Sequence, residues 1–179
     1  MSRTQNGIGL LELLLVMALL LLLWTWSAAP YTRFLELQAL DTQLSRIASG
    51  LMRGRSEAIT RNASVHICIA NLKTNLDVQG CQVVPKAANG YPLAEGILFF
   101  IDKPGGVAGA YDSKEALDVL TLPPATAIEL SGSVDRYRIQ PSGVLSIYAG
   151  VSYTVRGKQS GLCRRLQVGA TGFRQVSDC

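Results

Sequence analysis

The sequence predicts an α+β fold, with one long N-terminal helix packed on a C-terminal antiparallel sheet domain. Three observations point there. Residues 10–29, LLELLLVMALLLLLWTWSAA, form an apolar run whose only ionisable side chain is Glu12. Leu37, Leu40, Leu44, Ile47 and Leu51 then recur at three- and four-residue steps, as on the apolar face of an amphipathic helix. From Val65 onward, short apolar stretches are separated by turns containing glycine and proline, the pattern of antiparallel strands. A chain of 179 residues has room for one compact domain and one extra element.

The first half of the helix, residues 8–29, contains about twenty apolar residues, enough to cross a hydrocarbon core of roughly 30 Å. It is therefore expected to be transmembrane. The preceding MSRTQNG is polar, with Arg3 as its one basic side chain. A cleaved secretory signal would have a shorter apolar core before its small-residue site, so an uncleaved anchor is expected, N-terminus inside and bulk outside. Trp24 and Trp26 suit the far interface of such a span. Pro30 is expected to kink the helix rather than stop it. The second half, residues 30–61, carries Gly54 and Ala58 as extensions of the apolar stripe and ends at Asn62. Joined, residues 8–61 make a rod of about 80 Å. So long a rod cannot bury itself on a small domain, so its first half must meet lipid or other subunits.

Residues 62–179 are expected to form the β-rich head. VHICIA (65–70) is the first strand, followed by a polar, hairpin-like region ending at Cys81. GILFFID (96–102) is the second clear strand, and a loop rich in glycine and charge follows it. DVLTL (118–122) and AIELS (127–131) flank a PPA turn. RYRIQPSG (136–143) reads as a strand into a turn and VLSIYAG (144–150) as its return. SYTVRG, LCRRLQVG and TGFRQVS complete the set.

Four cysteines, Cys68, Cys81, Cys163 and Cys179, suggest two disulfides in an exported domain. Three pairings are formally possible. The local ones, Cys68–Cys81 and Cys163–Cys179, are favoured, the first closing a loop and the second pinning the C-terminus. No CxxC pair is present and the single histidine, His66, lies in a strand pattern, so no metal site or other cofactor is expected. No Ser/His/Asp order or phosphate loop emerges either. The glycines of 104–110 lack the lysine and Ser/Thr of a nucleotide loop. An enzyme with a small-molecule substrate is not expected.

Residues 7–12, Gly-Ile-Gly-Leu-Leu-Glu, together with the apolar run, resemble the class III signal of type IV pilins and type II secretion pseudopilins. The resemblance implies a leader, residues 1–7, cut by a prepilin peptidase between Gly7 and Ile8, and N-methylation of Ile8. Removing 7 of 179 residues would leave 172, and losing Arg3 would lower the net charge from +4 to +3. It also explains Glu12. Cleavage creates an amine on Ile8, and the Glu12 carboxylate neutralises it in the same chain or a neighbour. In low dielectric an unpaired charge is penalised, so the pair sets axial register. Open head-to-tail association follows from such a heterologous contact.

LMRGRSEAITRNASVHIC (51–68) closely resembles the GspH/FimT group of minor pilins and pseudopilins. Arg55, Ser56, Glu57 and Ala58 match its helical signature, with Arg61 following and residues 65–68 as the strand. Residues 95–102, then Leu162, Cys163 and the Thr171-Gly172-Phe173-Arg174 turn, match later elements of the group. The resemblance implies a type IV pilin-like fold. It further implies a minor pilin, nearest to the FimT/FimU-like members, that helps prime or cap type IV pilus assembly and supports twitching motility, adhesion or DNA uptake. The alternative is an H-type minor pseudopilin of a type II secretion system. A more distant rival is a signal-anchored periplasmic binding module. The implied partners are other minor and major pilins through the N-terminal helix, prepilin peptidase and the inner membrane. The implied location is the bacterial inner membrane, single-pass, with the C-terminal domain in the periplasm and the chain incorporated into a pilus or pseudopilus.

A third reading within the group is a DNA-binding competence minor pilin, using basic residues near the C-terminal turn. Here that turn reads Gly172-Phe173-Arg174-Gln175. Arg164 and Arg165 are near it in sequence, Arg156 and Lys158 lie upstream, and Arg136 and Arg138 share one side of their strand. Convergence of these faces would make a patch for weak, non-specific binding to phosphates.

Overall fold

The computed structural model describes residues 9–73, 75, 77–102, 107–112, 114–121, 128–158 and 160–179, without the side chains of 24–30. Among the described residues one helix, α1 (Leu10–Thr60), is followed by ten strands. They are β1 (Val65–Leu72), β2 (Val78–Cys81), β3 (Tyr91–Pro92), β4 (Gly96–Ile101) and β5 (Ala116–Thr121). Then come β6 (Ile128–Gly132), β7 (Arg136–Ile139), β8 (Val151–Gly157), β9 (Cys163–Val168) and β10 (Arg174–Asp178). The α+β class and the helix-then-antiparallel-sheet order are those expected from the sequence.

Among the described residues no helix is long and apolar enough to cross a membrane. This overturns the transmembrane reading of 8–29. The single-pass inner-membrane placement with a periplasmic head, and the inner membrane as a partner, go with it. A span needs about twenty consecutive apolar helical residues to cross roughly 30 Å of hydrocarbon, and no described helix is both that long and that apolar.

The chain divides into two compact units, Met1–Gln38 and Ala39–Cys179. In the first, the large apolar side chains of 10–23 are exposed, and so is Glu12. In the second, Leu40, Leu44, Ile47 and Leu51 of α1 are buried, as the three- and four-residue spacing requires. Gly50 and Gly54 lie on the same face and make a notch for Phe99 of β4. A Cβ on Gly50 would lie 3.2 Å from Phe99 Cζ, and one on Gly54 would lie 3.3 Å from Phe99 Cδ1. Here glycine gives space for a ring, not a special backbone angle. The helix ends on Asn62 in the left-handed region, φ 47°. The Ala63 amide donates to Ala58 O and the Asn62 amide to Ile59 O, a Schellman ending that satisfies two otherwise orphaned carbonyls.

The strands form two antiparallel sheets. One runs β2-β1-β4-β5, with β7 also paired to β1; the other runs β10-β9-β8-β6-β3. Their inner faces and α1 share one core, including Val65, Ile67, Ile69, Ile97, Phe99, Ile139, Val155, Leu166 and Val168. Tyr137 of β7 and Tyr153 of β8 join the sheets through their hydroxyls, 2.6 Å apart. Burial raises both phenols above their ordinary range, so both stay protonated and bonded. A smaller second cluster of Cys68, Ala70, Leu98 and Phe100 lies on the other face of the first sheet, with Tyr111 packed on it. This is why β1 is buried on both faces instead of alternating.

Residues 144–150 depart from expectation. They form no return strand and make only the isolated bridge Ile139–Leu145. The Leu145 amide donates to Ala170 O and the Ser146 amide to Arg138 O. The segment thus divides its donors between two elements, and no continuous ladder can form.

Candidate functional site

Gly7 and Ile8 lie outside the described residues. Glu12 is in the first turn of α1, its backbone amide donating to Gly9 O at 3.0 Å. Around it Leu10, Leu11, Leu13, Leu14 and Leu15 are all more than half exposed. A carboxylate is thus set among apolar side chains at the start of the helix.

Cys68 is bonded to Cys81, with Cα atoms 5.6 Å apart, tying β1 to β2. Cys163 is bonded to Cys179, at 5.5 Å, tying the last residue to β9. No described cysteine is free.

The basic residues near the C-terminus divide between the two faces of the second sheet instead of gathering on one. Residues directly opposite each other on antiparallel strands share a face. Arg156 pairs across with Cys163 and Arg165 with Thr154, which puts both arginines on the outer face of the second sheet. Glu129 lies opposite Arg156 on that face and offsets its charge. Arg164 and Arg174 belong to the other face, opposite Val155 and Val168. Arg164 is engaged within its own chain: its Nη1 is 2.8 Å from Asp178 Oδ1, and its Nε, shielded from solvent, is 3.5 Å from Asp41 Oδ1. Lys158 is exposed just after β8, and Phe173 is exposed before β10. Arg55 of the helical signature donates through Nη1 to Thr171 O, holding the turn before β10 against α1.

Arg136 and Arg138, by contrast, do meet other groups. On β7 they lie opposite Cys68 and His66 of β1, and His66 lies opposite Phe100 of β4. His66 stacks on Phe100, centroids 5.2 Å apart at 24°, and Tyr111 meets Phe100 edge-on at 5.6 Å. The sequence set His66 aside as a strand residue and grouped the two arginines with the basic residues near the C-terminus. The signal available was period two: His66 and Cys68 share a face, as do Arg136 and Arg138, but only register brings the pairs together.

The His66 pKa is lowered. Burial disfavours the imidazolium most, Asp102 opposes this, the Arg138 guanidinium lowers it further, and Glu115 again opposes. Between the ordinary value of 6.5 and the lower folded value, the unfolded chain binds the proton first. Stability is therefore fully present above pH 6.5 and falls as pH drops through that window. Thermal melts of the full chain between pH 7.5 and 5 are expected to show this loss, and His66→Gln is expected to flatten the histidine-linked part. An unchanged pH slope in the variant would refute the assignment.

No curated protein matches the sequence. Among solved structures, the chain resembles the type IV minor pilin FimU of Pseudomonas aeruginosa PAO1, at 16% identity and TM-score 0.53, over 80% of this chain and 92% of that one. A second crystal form of FimU gives 14% identity and TM-score 0.49, covering 77% and 92%. The minor pseudopilin EpsH of the Vibrio cholerae type 2 secretion system gives 10% and 0.48, covering 78% and 96%. The first of these likenesses is one of fold. Residues 43–172, well over half of the chain, match the family described as type II transport protein GspH. The chain therefore belongs to the family of type II transport protein GspH.

Proposed function

We propose that this chain is a minor pilin that helps prime or cap type IV pilus assembly. In this reading the leader, residues 1–7, is removed between Gly7 and Ile8, Ile8 is methylated, and Glu12 sets axial register. Residues 8–29 serve as the assembly helix, 30–61 as the amphipathic half and 62–179 as the head. The observation that carries the reading is the apolar surface of residues 10–23, where the exposure of the large side chains runs from 49% at Val16 to 79% at Leu10. Burying one such side chain against a neighbour is worth roughly 1.5–3 kcal/mol. Contiguous apolar surface of this kind marks an interaction face. Glu12 inside that face needs a cationic partner once water is excluded, and the new amine of Ile8 is one.

A second reading, an H-type minor pseudopilin of a type II secretion system, is favoured by the description of the matching family. Motility, adhesion and DNA uptake belong to the first reading only.

The test is peptide mass spectrometry of surface fibres sheared from the native host, searching for a peptide that begins at Ile8, with or without a methyl group. Low-stoichiometry recovery in fibres supports the minor pilin. A processed chain absent from fibres but present in the cells supports the pseudopilin. A chain still carrying Met1 to Gly7 in active cells sinks both. Glu12→Gln is expected to leave cleavage intact and cut incorporation at least about tenfold.

A further inference from the structure

We infer that the outer face of the first sheet carries a carboxylate-binding site, built from Arg136, Arg138, His66 and Ser146, that takes an acidic side chain of a protein partner. The site is a cavity of about 340 Å³ beside the Cys68–Cys81 bridge, with Phe100, Tyr137 and Gly109 in its wall. That volume is at the lower end of ordinary ligand pockets, and suits one or two side chains rather than a length of polymer.

Strand register builds it. Arg138, His66 and Phe100 lie side by side across β7, β1 and β4, and Arg136, Cys68 and Leu98 form the next row. Two guanidinium groups therefore emerge from one edge of an otherwise apolar and aromatic surface. Both arginines are exposed. Among the described residues Arg136 Nε has one ion-pair partner, the neighbouring Asp135 at 3.6 Å, and the Arg138 side chain has no hydrogen-bond or ion-pair partner. Ser146 Oγ accepts from the Arg138 amide at 3.1 Å, which leaves its hydroxyl proton to donate.

No carboxylate lines the cavity among the described residues. The nearby acids are turned to other donors. Asp102 accepts from the Gly109 amide at 2.7 Å, Asp112 from the Val107 amide at 3.0 Å, and Glu115 from the Asp112 amide at 2.8 Å. These bonds hold the loop that carries Tyr111. The amides orient these carboxylates without removing their charge, so what is left for an outside anion is the unshared donor capacity of the two guanidinium groups, which bind carboxylates through two parallel hydrogen bonds.

Single-stranded nucleic acid is the less suited occupant. It binds by stacking bases on exposed aromatic faces along a charged groove. Here Phe100 is only 1% exposed, its ring already covered by His66 and Tyr111. That the partner is another subunit of the assembly rests on the function proposed above; the carboxylate chemistry does not.

The experiment is fluorescence anisotropy with the purified full chain. The probes are a rhodamine-labelled peptide of alternating glutamate and alanine, its lysine counterpart, and a labelled oligothymidylate. The glutamate peptide is expected to bind in preference to the lysine peptide and to weaken as salt rises. Arg136→Gln/Arg138→Gln is expected to weaken it about tenfold, and Arg136→Lys/Arg138→Lys to weaken it less, because lysine keeps the charge and loses the paired geometry. The lysine variant keeps the test decisive if the glutamine variant misfolds. Equal binding of the two peptides, or glutamate-peptide binding unchanged in the variants, overturns the proposal. Oligothymidylate binding that is tighter than the peptide's and lost in the same variants overturns it in favour of nucleic acid. Fibre incorporation is not read in this assay, so its result stands apart from the pilin assignment.

Discussion

Phe99→Ala is expected to destabilise the head by about 3–5 kcal/mol, measured by denaturant unfolding of the full chain. Phe99 has no exposure, and its ring fills the notch formed by Gly50 and Gly54 on α1. Truncation removes the transfer energy of the ring and leaves a cavity that a helix backbone on one side cannot close. The converse change attacks the same contact from the helix. Gly54→Leu gains helix propensity of up to about 1 kcal/mol, yet it places a side chain against Phe99 Cδ1 and Ile139 Cδ1. Overpacking of that kind costs roughly 1–3 kcal/mol, so net destabilisation is expected. Combined with Phe99→Ala, the leucine should recover part of the loss, a coupling that independent sites would not show. A Phe99→Ala cost below about 1 kcal/mol would mean that the notch does not hold helix to sheet.

Removing the Cys68–Cys81 bridge as Cys68→Ala/Cys81→Ala is expected to cost about 3 kcal/mol by loop-closure entropy. The two cysteines are separated by 13 positions, and Cys68 is buried in the second cluster beside Leu98 and Phe100. The loss should therefore appear as a lower global midpoint. The Cys163–Cys179 bridge closes a loop of similar span, 16 positions, but its place in the fold differs. It pins β10, whose residues are mostly exposed and which, among the described residues, pairs only with β9. Its removal is expected to appear first as faster amide exchange over residues 174–178, with a smaller change in the midpoint. Arg55 at the turn and Arg164 at Asp178 still hold that strand. Equal midpoint losses from the two deletions, with no selective exchange in β10, would contradict this division of labour.

The placement of the arginines changes which nucleic-acid experiments are informative. Arg164, bonded to Asp178 and close to Asp41, is a structural cation of this fold, and a loss of binding on its removal would be confounded by loosening of β10. Arg156 and Arg165 share one outer face and are the cleaner pair to substitute.

What the sequence determined by itself is what local order encodes. Leu40, Leu44, Ile47 and Leu51 repeat at helical spacing, so the buried face of α1 was legible. Asn62 tolerates the left-handed angle that ends the helix, and the apolar run of GILFFI marked β4. The Gly7–Glu12 spacing and the Arg55–Ala58 signature pointed to the family. The apolar run of 10–29 was legible as grease, but hydropathy alone does not distinguish a bilayer from a neighbouring subunit as what meets it. What only the tertiary structure decided depends on residues far apart in the chain. Residues 144–150 looked like a strand, yet their amides are claimed by Arg138 and Ala170. Gly50 had no visible purpose until Phe99 occupied the space beside it. Arg164 and Arg165 are neighbours in sequence but face opposite ways, because a strand alternates its side chains. Arg136, Arg138 and His66 come together only because β7 pairs with β1 in one register, and a shift by a single residue would place them on opposite faces.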